Sequence, residues 1–347
     1  MGQLGNMRVC VHENRQAEEP ALRLLLLSVA RHSPKTKLVL FCSGLTQAFY
    51  DFAATFEQVE AVYPSFPVER HWNVKPDLLL HCIRDLGFKD VVWLDSDIIV
   101  TRELTQVFGQ FSADVFLMAQ ETLWATTPDD NGAMRARGWG FDVGREHPFA
   151  LNSCIIRATE QHTALLERWQ DMQTHEDYVT AQKQPSGQRP AHLRGAQELL
   201  TALLCSKEFS DTKLEYLRLG RDVVHSYGLK AFPLRQRLQW MKNGPPPFVH
   251  SQRLKPWMPT YQAGGGWLNR CYEDTFPYLL LADKLGTREG ENVGWARAKT
   301  LMGRLMRATS FGYPPLCGVG LAAAFDAGFG AARLIKTAMG RDGCQGR

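Results

Sequence analysis

Val91-Val92-Trp93-Leu94-Asp95-Ser96-Asp97-Ile98-Ile99-Val100 decides how the rest of the chain is read. A short apolar run with β-branched residues predicts a buried strand. Two aspartates interrupt it, and aspartate is a poor strand residue. Side chains alternate along extended backbone, so Asp95 and Asp97 are expected on one side. Two carboxylates held that close repel unless a cation lies between them. Hard divalent cations take oxygen ligands, and Mg2+ commonly combines one or two carboxylates with phosphate oxygens. The expectation is a metal–diphosphate site at the carboxyl end of a sheet strand. A solvated turn that merely contains two aspartates is the plainer alternative.

The flanking segments support a sheet. Arg8 to Val11 and Lys37 to Cys42 read as strands, with a leucine-rich helix between them over residues 21–30. That order implies a right-handed βαβ unit. Residues 47–56 read as a further helix. Lys75 to Gly87 is a helix by its Pro76 start, its Asp77 in the first turn and its Leu79, Cys82, Ile83 and Leu86 stripe. Alternation of this kind indicates an α/β fold, which binds ligands beyond the carboxyl ends of its strands. Residues 126–148, rich in Gly, Asp and Arg, read as a long loop of the kind that carries function. Leu151 to Ile156 returns to strand. Residues around Leu165 to Met172 and Gln197 to Cys205 read as helices, with a polar loop over 182–192, and Asn243 to Pro247 is a hard break.

The 347 residues carry 44% hydrophobic and 22% charged side chains, the profile of a globular protein. A net charge of +4 gives no basis for nucleic-acid binding. The eight cysteines form no Cys-x-x-Cys, and several lie in apolar runs. This is the pattern of buried thiols in a reducing, cytoplasmic compartment. No signal-peptide layout and no apolar run of about 18 residues is present.

A second segment, Phe248-Val249-His250-Ser251-Gln252-Arg253-Leu254-Lys255-Pro256-Trp257, joins a short strand to a histidine and then a lysine. Imidazole suits Mn2+-type metals, and lysine is a compact charge for phosphate. Asp95, Asp97 and His250 would make a three-ligand site. A histidine at the edge of the core with a surface Lys-Pro turn is the alternative.

Together these pieces resemble the retaining glycosyltransferases of family 8. The likeness is carried by His12-Glu13-Asn14, Leu94-Asp95-Ser96-Asp97, Leu151-Asn152-Ser153, Ala196-Gln197-Glu198 and His250 to Trp257, in that order over roughly residues 7–260. The resemblance implies a GT-A fold, a Rossmann-like mixed and mostly parallel sheet flanked by helices, over residues 1–291. It implies Mn2+ (or Mg2+) on Asp95, Asp97 and His250, and a UDP-sugar as donor. Asp95 would lie near the ribose, Lys255 on the diphosphate, Asn14 near the nucleobase and Lys75 near the diphosphate or donor sugar. Asn152 would touch the transferred sugar and Gln197 would sit beneath the anomeric carbon. Glu198 would act as a general base, orient its helix or bind acceptor. The acceptor would be a carbohydrate or lipid-linked. Three positions depart from the family pattern: Cys154 replaces a glycine, Ala196 replaces a carboxylate, and no glycine occurs between His250 and Lys255. A sugar nucleotidyltransferase would need a glycine-rich loop after the first strand, where this chain has His12 to Gln16. A non-catalytic nucleotide-sugar binder is the other alternative.

From residue 292 the composition changes. Trp295, Ala298, Leu301, Met302, Leu305 and Met306 fall on one helical face, with Arg297, Arg304 and Arg307 opposite. Residues 318–339 read as another helix. A basic amphipathic helix either lies on an anionic membrane, here the inner face of the cell membrane, or caps the domain with its apolar stripe.

Overall fold

The computed structural model describes residues 7–63, 71–121, 131–147, 149–228, 231–258 and 266–338. Its strands are β1 (Met7–Glu13), β2 (Lys37–Cys42), β3 (Val59–Tyr63), β4 (Asp90–Leu94), β5 (Ile98–Val100), β6 (Phe116–Gln120), β7 (Leu151–Thr159), β8 (Leu214–Leu217), β9 (Val223–His225) and β10 (Phe248–His250). Seven form one sheet in the order β3-β2-β1-β4-β7-β6-β8. β1, β2, β3 and β4 are parallel, β7 runs antiparallel to β4 and β6, and β8 is parallel to β6. This is the mixed, mostly parallel α/β sheet expected.

Successive residues of the central strands enter opposite cores. On β4, Val91 and Trp93 face one core, whereas Val92 and Leu94 face the other. The first core packs against helices Lys75–Arg84, Thr163–Met172 and Ala196–Cys205, and the second against Glu19–His32 and Leu104–Phe108. Helix Glu19–His32 is leucine-rich because it is buried on two sides. Leu22, Leu25 and Leu26 face the sheet, while Leu24 and Leu27 enter a third core with Tyr278, Val293, Ala296 and Ala322.

The expected single run from Val91 to Val100 is divided. β4 belongs to the large sheet, while β5 belongs to a small sheet ordered β5-β10-β9. Asp95, Ser96 and Asp97 form the crossing between them, so a turn rather than strand alternation brings the carboxylates together. The expected loop over 126–148 contains a helix, Gly132–Gly138, while residues 122–130 and 148 lie outside the described residues. Helix Glu176–Gln182 was not foreseen. Helix Val319–Ala338 is present as expected, and residue 339 lies outside the described residues.

Candidate active site

Strand order reverses between β1 and β4, because β2 and β3 lie on one side of β1 and β4 on the other. Parallel sheets bind ligands beyond the carboxyl ends of the strands at such a point. A cleft opens there. His12, Glu13, Asn14 and Arg15 reach it from β1, and Trp93, Asp95, Ser96 and Asp97 from β4. β7 brings Asn152 and Ser153 because Ile155 pairs with Leu94, which carries the start of β7 past the end of β4. The Asp95 amide donates to the Cys154 carbonyl at 2.9 Å and locks that arrangement. Gln197 arrives from helix Ala196–Cys205, and His250, Gln252 and Lys255 from β10 and the turn after it.

β10 pairs antiparallel with β5, setting His250 opposite Ile98. One oxygen each from Asp95 and Asp97 and one nitrogen of His250 lie within 4.8 Å of one another. Two ligands on one small divalent cation at ~2.1 Å are at most about 4.2 Å apart. Closing the group by a few tenths of an ångström therefore suffices, and the mixed carboxylate–imidazole donor set suits Mn2+.

Asp97 is buried and 2.5 Å from the Lys255 ammonium, with His250 Nε2 at 3.4 Å. Burial alone would raise its pKa, but its neighbours, Lys255 first among them, together outweigh burial and hold the carboxyl well below the usual range. Burial would lower Lys255, yet Asp97 and Glu18 keep it raised. Asp95 accepts from Lys75 at 2.8 Å and from the Trp93 indole at 2.7 Å. Lys75 also donates to the Ser153 carbonyl at 2.8 Å, so it braces Asp95 against β7. Four carboxylates (Glu13, Glu18, Asp95 and Asp97) thus meet three cations (Arg15, Lys75 and Lys255). The carboxylates of this cluster outnumber its lysine and arginine charges by one, which opposes entry of an anion unless a further cation enters with it.

Every expected site residue except Glu198 lines this cleft. Glu198 sits in the first turn of its helix, with Oε2 about where a side chain on Gly195 would meet it, and burial raises its carboxyl. Asn152 and Gln197 are fixed by neighbours: the Cys154 amide donates to Asn152 Oδ1 at 2.9 Å, and the Ser153 amide to Gln197 Oε1 at 3.0 Å. No glycine is needed between His250 and Lys255, because Gln252 itself adopts φ +32°. Its amide donates to both Glu121 oxygens at 3.1 Å.

Several residues here escaped the sequence reading. Buried Glu13 accepts from the Asn14 and Arg15 amides, from the Arg15 guanidinium and from Ser96 Oγ at 2.6 Å, joining the β1 and β4 ends. A carboxylate at the end of an apolar strand was the available signal, the same one that marks Asp95. Glu121 accepts from Asn152 Nδ2 at 2.6 Å. His225 touches His250, and Val223-Val224-His225 repeats the apolar-apolar-histidine pattern of Phe248-Val249-His250. Cys154, His225 and His250 form a second compact group. However, burial keeps the Cys154 thiol strongly protonated, and both His225 nitrogens already have partners.

No family model matches the chain, and no curated protein is significantly similar. Among solved structures, an active-site mutant of LgtC is 14% identical over 82% of this chain and 95% of that one, with a TM-score of 0.48. The galactosyltransferase LgtC in complex with donor and acceptor sugar analogues is also 14% identical over the same shares, at 0.46. The WbbM bifunctional glycosyltransferase is 10% identical over 70% of this chain and 45% of that one, at 0.47. At these scores and identities, the assignment of chemistry rests on the cleft itself.

Proposed function

We propose that the protein is a metal-dependent glycosyltransferase of the GT-A type, moving a hexose-type sugar from a UDP-sugar to a glycan or lipid-linked acceptor with retention. One observation carries this: Asp95, Asp97 and His250 converge at the strand-order reversal, beside Lys255, in a cluster whose charge calls for a cation. Those three residues would hold Mn2+ or Mg2+, which when bound supplies positive charge against the diphosphate as its bond to the sugar breaks. Lys255 lies against Asp97, and its flexible stem lets the ammonium turn to a phosphate oxygen. Lys75 holds Asp95 in place. Asn14, at the end of β1, lines the cleft and would meet the base. Asn152 and Gln197 present fixed amides on the β7 side, where the sugar would sit.

Inversion needs a carboxylate positioned as base on the acceptor hydroxyl. Among the described residues, the carboxylates lining the cleft are Glu13, Asp95 and Asp97, all tied to neighbours, and Glu198 is not among the lining residues. This favours retention and gives Glu198 the task of orienting its helix.

The anionic membrane partner has its own support. Helix Leu301–Thr309 presents Leu301 and Leu305 to solvent at 67% and 54% exposure, and Phe311 beyond it is 94% exposed. Its basic sequence context suits an anionic bilayer.

Incubation with a panel of UDP-hexoses and Mn2+ tests the proposal. UDP release that EDTA abolishes is expected. Mn2+-dependent binding of UDP-sugars with no release, in the presence of mixed glycan and lipid acceptors, would instead identify a non-catalytic binder.

A further inference from the structure

His225 and His250 end neighbouring parallel strands at paired register, and both rings are buried. Their Nδ1 atoms are 2.8 Å apart, with the ring planes at 73°. A hydrogen bond between two such nitrogens contains one proton, so one ring donates and the other accepts. The far side of His225 settles which. Its Nε2 lies 3.0 Å from the Gln120 carbonyl, which can only accept. His225 therefore carries its proton on Nε2. A neutral imidazole has a single N–H, and with the Gln120 carbonyl holding it at Nε2 the Nδ1 is bare. The shared proton then belongs to His250 Nδ1, and His250 Nε2 is left with its lone pair facing the acidic pair.

We propose that His225 is a positioning residue: through Gln120 O···H–Nε2 and Nδ1···H–Nδ1 it fixes His250 in the tautomer whose Nε2 can accept a cation. His250 Nε2 lies 3.4 Å from Asp97 Oδ1, near enough for both atoms to reach one cation. Partners behind a ligating histidine commonly set its tautomer and strengthen its binding. The role toward a cation rests on the proposed function, whereas the tautomer stands on the hydrogen bonds alone.

Long-range 1H–15N correlation spectra of the metal-free protein at about pH 8, above ordinary imidazole titration, read the tautomers directly. The expected result is His225 protonated on Nε2 and His250 on Nδ1. A proton on His250 Nε2 overturns the proposal. Binding of Mn2+, followed by the electron paramagnetic resonance signal of the free ion, gives the second arm. His225→Phe should weaken Mn2+ by roughly 10- to 100-fold. His225→Gln, whose amide can both donate to Gln120 and accept from His250, should recover most of that. Equal affinity in wild type and His225→Phe overturns the positioning role. Should His225→Phe fail to fold, His225→Gln and the wild-type spectra still decide. If wild type shows the expected tautomers yet binds no Mn2+, the proposed function fails and the tautomer stands.

Discussion

In the cleft, Glu13, Lys75 and Asp97 are buried with their polar atoms paired; on helix Leu301–Thr309, Leu301 and Leu305 face solvent while Arg307 turns inward. The inner face of that helix is polar and small. The Arg307 guanidinium donates to the Asp274 and Ala296 carbonyls at 2.8 and 2.7 Å. The Asp274 carboxylate accepts from the Lys299 and Thr300 amides and from Thr300 Oγ1. Gly303 fits against Asp274 so closely that an added Cβ would lie 2.2 Å from its oxygen. Trp295 at the start of the apolar stripe packs against the third core, whereas Leu301 and Leu305 face solvent, and Arg307 does not belong to a solvent-facing basic face as its position in the sequence suggests. Both regions break the usual rule of burial. Under the proposed function the buried charge in one would meet a cation and a diphosphate, and the exposed leucine in the other an anionic bilayer.

The comparison breaks most sharply at Asp97. Asp97→Asn keeps the shape but removes the charge, and activity should fall by about a hundredfold to a thousandfold; near wild-type UDP release would refute the role of the pair. The cost of buried polar groups also shows in acid. His147 is pushed from 6.5 down to about 4 by burial, so it stays neutral in the fold. Between those values the unfolded chain binds more protons than the folded one, and stability falls as pH falls. The loss should total about 3 kcal/mol by the lower end. His147→Gln should remove that part of the acid limb in urea titrations, and an unchanged limb would contradict it.

On the other side of the comparison, Leu301→Ser with Leu305→Ser should weaken flotation with anionic vesicles by roughly thirtyfold, since two partly buried leucines are worth about 2 kcal/mol. The melting temperature should stay the same, because those side chains touch no core. Equal flotation would remove the membrane contact. The smallest effect is expected for Gly303→Ala, which forces the helix off Asp274 and should cost about 1–2 kcal/mol, measured by thermal unfolding.

Much of the scaffold is legible in the sequence where burial is continuous. β2 is found from Lys37 to Cys42, and helix Lys75–Arg84 from its proline start and its stripe. The Asp-x-Asp segment and His250 are legible because carboxylates and imidazole follow apolar strands. What stays hidden depends on partners remote in the chain. The break between β4 and β5 is fixed by Ser96 bonding to Glu13, 83 residues away. His225 lies in a strand of three residues, too short to show periodicity. For helix Leu301–Thr309 the stripe is visible, but periodicity cannot say which face meets the protein. Asp274 decides that through Gly303 and Arg307.

The most direct test is an anomalous difference map from crystals grown with Mn2+ and UDP. The account predicts a manganese peak bonded to Asp95, Asp97 and His250 Nε2, with the diphosphate beside Lys255. A diphosphate bound elsewhere, or a manganese site that leaves out His250 or both aspartates, would contradict it.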